Sequence, residues 1–259
     1  MNSVKKLINL SVISTGFTFL NICPSLAVTI GFFNNPDFSF GEADTLFNIL
    51  VDQGNTVTQF SSLEASVWQE IADNNQVLVI PTINNNSLFP SLSSETQTVI
   101  ANYVDNGGGF LMAGEVQEVI PVMNGVFGFS LAEDFFGQET LLNPEDAEGT
   151  IFENAPSSLP NAVFTTTMAI DSLPLGSLNF YDNEQNSSSV FVSPFGLGKV
   201  AFNGFSYGDI NNAIGWPEVT NLTVEFIAGE APVQSVPEPS MIFSLLLISG
   251  LGGLSLRRH

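Results

Sequence analysis

The sequence predicts an α/β fold: a doubly wound, mostly parallel sheet carrying an antiparallel, β-rich elaboration. Three observations lead there. Apolar, strand-like runs recur through the first half of the chain. The segments between them place apolar residues at helical spacing. Past Gly128 the pattern changes to β-rich runs separated by turn residues.

The elements follow in order. "AVTIGFF" (27–33) is unbroken and apolar, as suits a strand covered on both faces. Ala43, Leu46, Phe47, Leu50 and Val51 then recur at helical spacing, and Gly54 stops that helix. "NTVTQF" (55–60) reads as the second strand. Ser61-Ser62-Leu63-Glu64 has capping-box spacing, with Leu63, Val67, Trp68 and Ile71 on one helix face behind it. "QVLVIPTI" (76–83) is the third strand. A second capping box, Ser94 to Gln97, opens a helix through Val99, Ile100, Tyr103 and Val104. Gly107 ends it, and "GGFLMAG" (108–114) is the fourth strand. The β-rich part, about 128–205, holds "FTTTMAI" (164–170), "LNFYDN" (178–183), "SSVFVSPF" (188–195) and "GKVAFNGF" (198–205). Phe195 to Gly198 reads as a hairpin turn, and Trp216 to Ala228 as a last helix. Together 28–229 form one domain, followed by a proline-extended linker over 230–236.

The chain has 259 residues and a formal net charge of −21. Charge placement matters more than its size. Lys5, Lys6, Arg257 and Arg258 lie at the two ends, which leaves Lys199 as the one cation between 28 and 235. That same span holds 25 of the 26 carboxylates. Nucleic acid is excluded as a partner, because its binding rests on lysine and arginine neutralising phosphates. An anionic bilayer surface is excluded for the same reason. Divalent cations and neutral polymers such as polysaccharide stay open.

The ends read as addresses. Residues 1–27 have a signal-peptide layout: Lys5 and Lys6, an apolar stretch from Leu7 to Leu20, then Ser25-Leu26-Ala27 as a small-x-small cleavage site. Residues 241–256 carry no charge and predict a transmembrane helix, with Arg257 and Arg258 on the cytoplasmic side. Pro237-Glu238-Pro239, the Leu- and Gly-rich span and the terminal Arg-Arg, in that order over 237–259, resemble the PEP-CTERM sorting signal. The resemblance implies export, processing by signal peptidase and by an exosortase, and transient membrane attachment through the C-terminal helix. It further implies a cell-surface or extracellular-matrix location near exopolysaccharide. It names an address and no activity.

The order of elements, "YVDNGGGFLMAGE" (103–115) and "GKVAFNGFSYGD" (198–209) resemble class I glutamine amidotransferase-like, flavodoxin-like domains. The resemblance covers about 28–229 and implies a sharp elbow after the fourth strand, where active members place a cysteine nucleophile. This chain departs from that pattern. Its elbow reads Ala113-Gly114-Glu115, and its one cysteine, Cys23, and one histidine, His259, lie in the end segments. The nucleophile and base of Cys-His catalysis are both missing, so a catalytically degenerate domain is expected.

In open α/β sheets, ligands bind beyond the carboxyl ends of the strands. Asn34 and Asp37 follow the first strand, Thr82 and Asn84 the third, and Glu115 and Glu118 the fourth. Ser206, Tyr207 and Asp209 follow "KVAFNGF". From these, Asn34, Asp37, Thr82, Asn84, Glu115, Tyr207 and Asp209 are the candidate ligand-binding residues. No catalytic residue and no metal ligand is assigned. Two chemistries survive the missing cysteine and histidine. A carboxylate-dependent hydrolase could act on extracellular polysaccharide, with Tyr207 and Trp216 as stacking candidates. Calcium could support a matrix component, although Asp182-x-Glu184-x-Asn186 has Ser187 where an EF-hand loop needs glycine. Glu145, Asp146 and Glu148 form a denser acidic cluster. The first expectation is a ligand- or partner-binding domain without a cofactor.

Overall fold

The computed structural model describes residues 27–39, 41–136, 139–160, 165–208 and 213–229. The signal segment up to residue 26, the linker, the sorting motif (Pro237, Glu238, Pro239, Arg257, Arg258) and the segment 241–256 lie outside the described residues.

The first half alternates strand and helix: β1 (Thr29–Phe33), α1 (Glu42–Asp52), β2 (Thr56–Phe60), α2 (Ala65–Asn74), β3 (Val77–Ile80), α3 (Ser94–Asp105), β4 (Gly109–Ala113) and α4 (Val116–Phe127). The second half is built from short strands: β5 (Glu133–Phe136), β6 (Thr140–Leu142), β7 (Ser158–Leu159), β8 (Thr166–Ala169), β9 (Leu178–Asn183), β10 (Ser187–Phe195) and β11 (Gly198–Asn203). A four-residue helix, α5 (Pro144–Ala147), lies among them, and α6 (Trp216–Ala228) follows β11.

All strands join one 11-stranded sheet in the order β2-β1-β3-β4-β11-β10-β9-β6-β7, with β5 and β8 off this path. The expected doubly wound, mostly parallel, flavodoxin-like sheet is therefore corrected to a mixed sheet. Four pairings are parallel and six are antiparallel. The physical reason lies after α4. The chain stops making helical crossovers, and the short links β9–β10 and β10–β11 are hairpins, which join only antiparallel neighbours. Strand β11 then enters antiparallel to β10 and parallel to β4, so the elaboration extends the same sheet.

Period-two alternation divides the core between the two faces. Ile30, Phe32, Val77, Val79, Leu111, Ala113 and Ala201 face α1 and α6. Phe33, Leu78, Ile80, Phe110, Met112, Val200 and Phe202 face α2, α3 and α4. Trp68 from α2 is fully buried against β1 and β2. It stacks on Phe33 at 5.5 Å and meets Phe60 edge-on at 4.7 Å. Each such ring pair adds about 0.5–1.5 kcal/mol beyond its burial.

Among the described residues no helix is long and apolar enough to cross a membrane.

Candidate ligand-binding crevice

Strands β1, β3, β4 and β11 run the same way, so their carboxyl ends and following loops share one edge of the sheet. The loops after β1 and β3 bind each other. Asn84 N and Asn85 N donate to Phe38 O at 3.0 and 3.2 Å. The side-chain amides of Asn85 and Asn86 donate to Asp37 O at 2.9 and 2.6 Å. Asp37 thus contributes its carbonyl to loop packing. Asn34 donates to Asp44 Oδ1 at 3.3 Å, beside the start of α1.

The turn from β4 into α4 is sharp because Gly114 adopts φ 115°. An L-residue disfavours that conformation. A Cβ on Gly114 would also lie 2.6 Å from Thr82 Oγ1 and 2.8 Å from Thr82 Cα. Thr82 is 1% exposed, and its hydroxyl has no hydrogen-bond partner. The turn is held from behind by β8. Thr166 Oγ1 accepts from Val116 N at 3.2 Å and donates to Gly114 O at 3.1 Å. A first-turn N–H of α4, which could otherwise serve an anion, is thereby taken by the chain itself.

Glu115 is the N-cap residue of α4 but makes no side-chain capping bond. Desolvation, and then the charge of Glu42, push its carboxyl above the ordinary value of 4.5. Glu42 opens α1 and accepts from Asn84 Nδ2 on Oε2 at 3.2 Å. Its Oε1 lies against Gly208, where an added Cβ would approach to 2.6 Å. Glu118, one turn into α4, accepts from Ser87 Oγ on Oε1 at 3.0 Å. Its Oε2 is buried without a partner. Ser206 is fully buried, and its hydroxyl also lacks a partner.

The structure thus gathers Thr82, Asn84 and Glu115 at one edge of the sheet, with Asn34 and Asp37 on its β1 side. Tyr207 is elsewhere. It is 1% exposed, packs edge-on against Phe205 at 5.0 Å, and its hydroxyl bonds Thr220 of α6. Asn203 and Thr223 complete that buried network. Trp216 is likewise buried, stacked on Phe205 at 5.0 Å, so neither ring is a sugar platform. Asp209 lies outside the described residues. Two of the acidic loop candidates serve the fold. Asp182 Oδ2 accepts from Asn179 at 2.7 Å and Asn143 at 3.4 Å, and Asp146 Oδ2 accepts from Asn179 N at 2.8 Å. Among the described residues no three carboxylates come together as a metal-holding group.

Sequence reasoning left out Glu42 and Thr166. Glu42 carried a signal, as the carboxylate opening the first helix after a strand end. Thr166 carried none, because its role depends on β8 arriving behind a turn 50 residues earlier.

No family model matches the chain, and no curated protein sequence matches it. Solved structures do. Cytoplasmic protein STM1381 from Salmonella typhimurium LT2 is similar at TM-score 0.55 and 15% identity, over 77% of this chain and 99% of that one. Cytoplasmic protein STM3548 from Salmonella typhimurium is similar at TM-score 0.54 and 15% identity, over 77% of this chain and 98% of that one. An exo-β-1,4-mannosidase from Opitutaceae bacterium strain TAV5 aligns at TM-score 0.44 and 10% identity, over 78% of this chain and 35% of that one. What the two Salmonella proteins share with this chain is the fold.

Two expectations are corrected here. Export to the cell surface, with a transmembrane anchor, is set against two Salmonella fold relatives described as cytoplasmic. The expected anchor, 241–256, lies outside the described residues, among which no helix is long and apolar enough to cross a membrane. The amidotransferase-like assignment is not supported by any family match. At the elbow itself, the strained position is a glycine without a side chain, and Thr166 occupies the adjoining N–H.

Proposed function

We propose that the domain is a binding module, with its ligand seated at the sheet edge formed by the carboxyl ends of β1, β3, β4 and β11. One observation carries this reading: Glu42, Glu115 and Glu118 surround the loop after β3 while acceptor atoms beside them, Thr82 Oγ1 and Glu118 Oε2, remain buried and unpartnered. A buried polar atom without a partner costs about 1–3 kcal/mol. A ligand that supplies donors recovers that energy on binding. Nucleophilic catalysis by cysteine and histidine has no residues to use between 28 and 235. The raised Glu115 beside Glu42 favours a second reading, hydrolysis by carboxylates alone.

The experiment is a binding and turnover screen of the full chain against soluble glycans and small amines, repeated with Glu115→Gln. Binding weakened by the substitution, without turnover, is expected. Glycan cleavage that Glu115→Gln abolishes would replace the binding reading with the hydrolase.

A further inference from the structure

We propose that Asn106 is a site of spontaneous covalent modification. Its side-chain amide is displaced by the backbone nitrogen of Gly107, which leaves an aspartyl or isoaspartyl residue at the end of α3 and weakens the junction of α3 with β4.

Asparagine followed by glycine is the pair most prone to this reaction, because glycine puts no side chain beside the attacking nitrogen. The chain has three such pairs: Asn106-Gly107, Asn124-Gly125 and Asn203-Gly204. Their surroundings separate them.

Two pairs are locked. Asn203 is fully buried, its Nδ2 donating to Thr220 Oγ1 at 3.0 Å and its Oδ1 accepting from Thr223 Oγ1 at 3.2 Å. The nitrogen that would attack it, Gly204 N, donates to Ser189 O at 2.8 Å. Asn124 lies inside α4, with Nδ2 donating to Leu131 O at 3.1 Å and Oδ1 accepting from Leu131 N at 2.9 Å. Gly125 is packed tightly against the Phe89 ring. Turning either amide toward the next nitrogen breaks two hydrogen bonds.

Asn106 is open. It and Gly107 are exposed at the C-terminal end of α3. Its Nδ2 donates to Asn102 O at 2.8 Å, within its own last turn. A Cβ on Gly107 would meet only Leu197 Cβ, at 4.0 Å, so no neighbour crowds that residue. Gly107 N donates to Val104 O at 2.9 Å, again within the last turn. Such end turns open at far lower cost than core segments.

The reaction balances with water alone. Gly107 N bonds to Asn106 Cγ and gives up its proton, the Cγ–Nδ2 bond breaks, and the amide leaves as ammonia. Water then opens the cyclic imide at either carbonyl, giving aspartate or isoaspartate. The product is poorly placed. Its carboxylate stands beside Asp105 at the negative end of the α3 dipole, and the bond to Asn102 O is gone. The isoaspartyl form also lengthens the backbone where Gly107 N bonds Val104 O and Gly108 N bonds Tyr103 O. The same junction seats the β10–β11 turn, since Leu197 N donates to Asp105 O at 2.9 Å and Lys199 N to Gly108 O at 3.3 Å.

The test is incubation of the full chain in mildly alkaline buffer, well below its melting temperature, followed by peptide mass mapping. The amide-to-acid mass gain should appear at Asn106 at least about tenfold faster than at Asn124 or Asn203, as expected of an end turn set against core segments. In concentrated urea, which unfolds all three pairs, that gap should close. Asn124 or Asn203 keeping pace in the folded chain, or an Asn106 that stays intact, would overturn the site. Asn106→Asp carries the charge of the aspartyl product and should melt below wild type. An unchanged melting temperature would overturn the weakening and leave the modification site standing.

Discussion

Glu115 shows how one side chain comes to matter through its surroundings. Local sequence places a carboxylate at a helix start, where the dipole favours it. The fold then withdraws solvent and sets Glu42 nearby, and both raise its pKa. Its ionised form is therefore less welcome in the folded state than in the unfolded one. The penalty is absent below the unfolded value of 4.5 and develops as pH rises through the folded value. Glu115→Gln should accordingly raise the melting temperature at neutral pH, and that gain should vanish near about pH 4. A thermal series across pH checks it, and a substitution that destabilises at neutral pH would show that Glu115 is held by a favourable partner. Thr166 is the opposite case. Its hydroxyl bridges two backbone groups of the β4–α4 turn, and nothing adjacent in sequence announces it.

At the scale of elements, most of the regular structure was legible. The helix read over Trp216 to Ala228 is α6, and the strand read over 178–183 is β9. Long periodic segments carry enough repeats to reveal their period. Capping was legible in kind and displaced in detail: the residue that caps α3 is Ser93, accepting from Thr96 N at 3.1 Å. The Ser61–Glu64 box fared worse, since α2 begins after Glu64, which makes no side-chain cap. Strands β6 and β7 went unread because segments of three and two residues are too short to show alternation, and β5 because its sequence, EDFF, does not alternate. Helix α6 also gains a contact invisible in its own sequence. Lys199 from β11 donates to Phe226 O at its C-terminal end and lies 4.0 Å from the Phe226 ring. Lys199→Met should lower stability by about 1–2 kcal/mol, read as a shift in urea midpoint without a change in slope. An unchanged midpoint would mean that water serves that carbonyl equally well.

Across the whole molecule, the dominant electrostatic fact is a net charge of −21. Like charges confined to a folded body repel, and salt screens exposed pairs beyond about 10 Å at 0.1 M ionic strength. The melting temperature should therefore rise as sodium chloride is added at constant neutral pH. A fall would show that attractive pairs outweigh the repulsion.

The sequence by itself determined where most strands and helices lie, which of their faces are apolar, and which catalytic side chains are missing from the body. Those properties follow from local periodicity and residue identity. Only the tertiary structure decided that the β-rich half joins the parallel strands in one mixed sheet. It also decided that Tyr207 goes into the core and that Glu42 meets Glu115. An apolar face says that a segment must be covered and leaves its partner open. Strand partners and their direction are selected by long-range closure of the chain, which no short window of sequence contains.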